Sequence, residues 1–124
     1  MEQEYIKGDI VMYDNKIHTI MDTLGVNNYE LSYIEHPVHQ LELSGVPLTP
    51  EIIEKNGWRR QNRWYYYLDV AEGFISYIGI DFKHKSNKGH LYVEIDGNNM
   101  VEIQYCHELQ HLLFGLGLNS EMEV

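Results

Sequence analysis

Apolar and polar residues alternate along the first third of the chain in runs too short to carry a helical period. From Ile6 the sequence reads IKGDIVMYDNKIHTIMDTLGVNNYELSYI, three β-rich segments divided by Asp14-Asn15 and by Gly25-Val26-Asn27-Asn28, residues that favour turns. Ile10 and Met12 alternate with Val11 and Tyr13, Ile17 and Thr19 with His18 and Ile20, while Tyr29, Leu31 and Tyr33 share one face. This pattern predicts an antiparallel meander.

The period changes after Val46. Thr49 is a good N-cap, Pro50 suits the first helical position because its missing N–H would be unpaired there, and Glu51 complements the helix dipole. Leu48 ahead of the cap can pack on Ile53, and Asn56-Gly57 supplies the left-handed residues that close such a helix. A short helix of about two turns follows from these signals. Beyond it, WRRQNRWYYYLDV reads as two strands around Gln61-Asn62. GFISYIGIDF and GHLYVEID continue the β pattern across the polar loop KHKSNKG, and Gly97-Asn98-Asn99 turns the chain into MVEIQY. Stepping 100° per residue from Tyr105 places Tyr105, Leu109, Leu112, Leu113 and Leu116 on one stripe, the expected core face of a C-terminal helix. His107 and His111 then fall on the opposite, solvated side. With no repeat and no linker of domain size, residues 1–124 are expected to form one α+β domain. Its architecture would be a curved antiparallel sheet with a short central helix and a C-terminal packing helix. The opening KGDIVMYDNKIHTI resembles the start of SH3-like barrels, where a glycine turn feeds a hairpin.

Composition narrows the function classes. Nineteen acidic residues against nine basic ones give a formal charge of −10, which opposes general attraction to phosphate backbones and to anionic membrane surfaces. A protein partner is expected, with no direct binding of nucleic acid or membrane. No apolar run approaches the ~20 residues needed to cross a bilayer. The single cysteine, Cys106, and the acidic start MEQEY, where a secretory leader would be basic and then apolar, point to the cytoplasm.

The C-terminal helix spells His107-Glu108-Leu109-Gln110-His111, the His-Glu-x-x-His zinc signature. His107 and His111 stack on one face at the required spacing, and Glu108 at its flank would be the general base. A catalytic zinc also needs a third protein ligand and an open position for water. The extended form of the motif would want a glycine and then a histidine where this chain has Phe114 and Gly117. Glu121 and Glu123 lie in an acidic tail expected to be mobile, and His84 or His90 would be unusual upstream ligands. The expectation is therefore that no metal, no cofactor and no catalytic residue is present, and that the two imidazoles sit near a helix end whose negative pole they suit. A small zinc-dependent hydrolase using His107, His111 and Glu108 is the alternative.

Two segments, VPLTPEIIEKNGW and VEIQYCHELQHLLFGLGLNSEMEV, resemble a family of small uncharacterised proteins frequent in phage and prophage regions of gut bacteria. Its members carry P-L-T-x-E-x-L-x-K-x-G-F and later H-x-L-Q-N-L-Y-F-x-L-x-G-x-E-L. Together with the N-terminal G-x-x-V, the resemblance covers both ends and the centre of the chain. It places His107, Leu109, Gln110, Leu112 and Phe114 at corresponding sites, puts Asn at His111, and leaves Glu108 at a variable position. The family's closing glycine and glutamate meet Leu118 and Ser120 here. The resemblance implies a mobile-element setting and a helix whose motif serves packing, and it brings no activity.

Trp58, Arg59, Arg60, Arg63 and Trp64 form the remaining cluster of note. Arginines interleaved with Trp58, Trp64 and Tyr65 to Tyr67 have the chemistry single-stranded nucleic acid would want, but the charge balance opposes it. The expected arrangement is a hairpin whose aromatics fill one sheet face, with this cluster as a protein-contact surface. Cys106 and His107, about 100° apart on a helix, do not make a nucleophile and base, and His36-Pro37-Val38-His39 receives no role. The expected function is that of a non-enzymatic accessory protein acting through protein contacts. A further alternative is an acidic mimic that occupies a nucleic-acid-binding protein.

Overall fold

Asp14 and Asn15 both take left-handed φ values, 50° and 62°, the pair of conformations a two-residue type I′ turn requires. They join β1 (Ile10–Tyr13) to β2 (Lys16–Thr23) in the computed structural model, which describes residues 4–70 and 75–124 and, for Asn99, the backbone alone. β3 (Asn28–Leu31) and β4 (Val38–His39) extend this meander on one side and β5 (Ser44–Gly45) pairs with β1 on the other, giving the order β4-β3-β2-β1-β5. This curled antiparallel sheet occupies the part of the α+β fold where the SH3-like opening was expected. His39 caps the 3₁₀ turn Gln40–Glu42: its Nδ1 accepts the Leu41 N–H and Glu42 Oε2 accepts its own N–H.

The helix read between Thr49 and Gly57 is present as α1 (Pro50–Lys55). Thr49 Oγ1 accepts the Ile52 N–H at 3.3 Å, and Gly57 takes φ 85° past the C-terminus. A second antiparallel sheet follows, made of β6 (Arg59–Arg60), β7 (Tyr65–Asp69), β8 (Tyr77–Asp81), β9 (Leu91–Ile95) and β10 (Asn99–Ile103) in the order β10-β9-β8-β7-β6. Where one curved sheet was expected, two form. The expected strand start at Gly73 and Phe74, and Met1 to Gln3 of the acidic start, lie outside the described residues.

The chain divides into two compact units, Met1–Pro47 with Tyr105–Met122, and Leu48–Gln104 with Glu123–Val124. In the first, Tyr5, Val11, Ile20, Tyr29, Leu31 and Val38 form the core between the curled strands. In the second, Ile53, Trp58, Tyr66, Ile78, Ile80 and Val93 are buried. The tail expected to be mobile is anchored at its end. Glu123 and Asn56 exchange two hydrogen bonds of 2.8 Å, and Lys55 Nζ donates to Val124 O. Among the described residues no helix is long and apolar enough to cross a membrane.

α2 (Cys106–Gly115) closes the first unit, but its buried face matches the expected stripe only at Leu109 and Leu113. Cys106, His107, Leu109, Gln110 and Leu113 are buried, whereas Leu112 and Leu116 are half-exposed. Polar side chains won the inward positions because the segment leading into β1 offers them hydrogen-bonding groups. Gln110 Oε1 accepts the Ile10 N–H and its Nε2 donates to Gly8 O, each at 2.9 Å. The helix therefore turns by about one residue, and His107 leaves solvent for the interior. Tyr33, expected to share the buried face of Tyr29 and Leu31, instead stands clear of the surface because the strand ends at Leu31 and a turn begins.

Candidate functional site

The His-Glu-x-x-His helix meets a carboxylate that the sequence pattern did not single out. Asp9, only 2% exposed, accepts the Ile6 N–H at 2.9 Å and lies 2.6 Å from His111 Nε2. Burial raises the Asp9 carboxyl pKa, while the Ile6 N–H and His111 pull it back. His107 is 5% exposed, stacked on Tyr105 and edge-on to Tyr5, and its Nδ1 has no hydrogen-bond partner among the described residues. Burial lowers its pKa, with the Asp9 charge opposing. Glu108 is committed to the helix start, its Oε1 accepting the Tyr105 N–H at 2.9 Å.

Three members of the motif have contacts within the fold: Glu108 caps the helix, His111 pairs with Asp9, and His107 packs between tyrosines. Among the described residues no group of three His, Cys, Asp or Glu is arranged to hold a metal ion. Cys106 is fully buried, its thiol pushed up to about 11 by burial, which opposes formation of a reactive thiolate.

The arginine-aromatic cluster lies in the second unit. Trp58 is withdrawn from it: its backbone N–H donates to Ile53 O at 3.3 Å in the turn that closes α1, and the residue is 6% exposed. The others stay at the surface. β6 and β7 pair with Arg59 opposite Tyr67 and Arg60 opposite Tyr66. Tyr66 points inward and its hydroxyl donates to Glu54 at 3.0 Å, while the Tyr65 hydroxyl donates to Glu94 at 3.1 Å. In the loop between the strands, Asn62 Oδ1 accepts the N–H groups of Trp64 and Tyr65, which fixes the tip. Arg63 lies over the Trp64 ring, 5.0 Å from its centroid, with the indole 41% exposed.

This loop forms one wall of a groove of about 520 Å³, and Asp81 at the end of β8 with Lys83 and His84 after it form the other. Asp81 holds that wall in shape, accepting the backbone N–H groups of Lys83 and His84 and facing His84 Nδ1 at 2.9 Å. Burial pushes against its ionisation, but the His84 contact and these N–H groups win and its pKa is lowered. Lys83 and His84 belong to the loop KHKSNKG, a visible run of positive charge whose meeting with Arg63 and Trp64 needed the β7–β8 register to place it. Arg59 makes a 3.8 Å, well-exposed pair with Asp69. Among the described residues Arg60, Arg63, Lys83, Lys85 and Lys88 have no carboxylate within salt-bridge range. No family model, curated protein or solved structure matches the chain.

Proposed function

We propose that the protein is a non-enzymatic accessory factor that acts by binding another protein through the groove between the β6–β7 loop and the residues after β8. One observation carries this reading: in a chain of net charge −10, an exposed tryptophan with arginine stacked on it shares a groove with Lys83 and His84. Aromatic and arginine side chains in this setting are the groups that dominate protein interfaces. A partner surface bearing carboxylates and an apolar residue to cover Trp64 fits the groove's chemistry. The net charge works against a phosphate polymer in the same place. The sequence resemblance supports a phage or prophage setting for this activity.

Substituting Arg63, Trp64 and Lys83, which all line the groove, together with alanine tests the proposal. Partners captured by the wild-type chain from host or phage-infected lysate are expected to be lost by the variant; retention of all of them would remove this surface from consideration. The hydrolase alternative is disfavoured by the commitment of Glu108 to the helix cap and of His111 to Asp9. It would regain ground if untagged protein purified without chelator held about one zinc per chain, lost in His111→Asn.

A further inference from the structure

We propose that a second groove, on the β2–β3 side of the first unit, docks a basic segment of a partner protein that carries an apolar anchor residue. The groove encloses about 660 Å³ and includes Met21, Glu30, Tyr33, Ile34 and Glu35 in its lining. It is independent of the cationic groove of the second unit and stands whether or not that one binds anything.

Three local choices around this groove disfavour the free protein, and all three suit such an occupant. First, the register between β2 and β3 slips: Ile20 faces Leu31 and Asp22 faces Glu30, so Met21 has no cross-strand partner and is held at the surface by a bulge. Second, Leu31 to Ile34 form a turn closed by the Ile34 N–H to Leu31 O at 3.3 Å, and Tyr33 occupies its third position with φ 63°. That position of a type II turn favours glycine or asparagine. A tyrosine there, 99% exposed, adopts a conformation rare for bulky residues and gains no burial in return. Third, Asp22 and Glu30 are directly opposed like charges on exposed positions of neighbouring strands.

A lysine- or arginine-bearing segment would neutralise Asp22, Glu30 and Glu35, while an apolar side chain would cover Met21 and Tyr33. The charge of the whole unit points the same way, since Lys7 and Lys16 are its only lysines or arginines. Electrostatic complementarity of this kind steers association and makes it sensitive to salt.

The test is a titration of the full chain, followed by backbone amide NMR, with a short synthetic peptide alternating leucine and lysine and with its leucine–glutamate counterpart. The leucine–lysine peptide is expected to shift amides between Thr19 and Glu35 and to bind more weakly as salt is added, and the glutamate peptide to leave them unmoved. Tyr33→Asn, which accepts the left-handed conformation, should keep or raise the melting temperature and weaken binding at least about tenfold, a loss of about 1.4 kcal/mol. Glu30→Gln with Glu35→Gln, which also relieves the Asp22 repulsion, should fold and lose most of the salt dependence. An equal response to both peptides, shifts centred outside this groove, or affinity unchanged in both variants would overturn the proposal. Self-association of the free chain that Tyr33→Asn abolishes would overturn it too, in favour of a second copy as occupant.

Discussion

At the scale of single residues, the Asp9–His111 contact ties one histidine of the His-Glu-x-x-His spelling to a distant carboxylate. The two side chains are 102 positions apart in the chain and meet at 2.6 Å. His111→Asn removes the imidazole and leaves a buried carboxyl short of one partner, which is expected to cost about 1–3 kcal/mol in urea unfolding at neutral pH. His107 makes a different prediction, in pH. Its folded pKa lies below the usual 6.5, so below that pH the unfolded chain binds the extra proton and stability falls as acid is added. Asp9, with a folded value above 3.8, has the opposite sign: between 3.8 and its folded value, stability falls as pH rises. His107→Phe keeps a ring between Tyr5 and Tyr105 and removes the first slope. The variant should therefore gain stability relative to wild type as pH drops below about 6.5, measured by paired urea titrations across that range; a constant difference would contradict the buried, neutral imidazole. Asp9 was not legible as a site residue, because an aspartate after glycine reads equally well as an ordinary turn.

Among the elements, α1 was the most legible because its signals are local. A cap, a proline at the start and an Asn-Gly stop act within a few residues of one another, and Thr49 Oγ1 does accept the expected N–H. The meander was legible for the same reason, its Asp14-Asn15 turn needing only two residues that tolerate positive φ. The face of α2 was not. Hydrophobic periodicity chose the leucines, yet Gln110 satisfies Gly8 and Ile10 and draws the helix round. This makes a sharp comparison. Leu109→Ala, at a fully buried position, should cost about 2–5 kcal/mol, and Leu112→Ala, half-exposed, well under half as much. Equal losses in chemical denaturation would restore the leucine stripe as the packed face. Gly45 in β5 offers a second check: a Cβ there would run into the Tyr105 ring, so Gly45→Ala is expected to destabilise by about 1–3 kcal/mol.

For the whole molecule, charge is divided unequally: all lysines and arginines but Lys7 and Lys16 belong to the second unit. Both tryptophans belong there as well, so tryptophan fluorescence follows that unit while far-UV circular dichroism follows both. Self-repulsion among the acids of the first unit is felt over about 30 Å at 0.01 M salt and about 8 Å at 0.15 M. The two probes of thermal unfolding should therefore part at low salt and converge as salt is added; coincident transitions at every salt concentration would show that the repulsion is not localised in the first unit. Net charge, the α+β class, the turns, α1 and the run of strands were all determined by the sequence, because each depends on composition or on neighbours a few residues away. Tertiary structure decided what the sequence could not: the division into two sheets, the burial of Trp58 and His107, the pairing of Asp9 with His111, and the meeting of Arg63 and Trp64 with Lys83 and His84. Each of those depends on strand register or on contacts between distant segments, where hydrogen-bond satisfaction and packing override the local pattern.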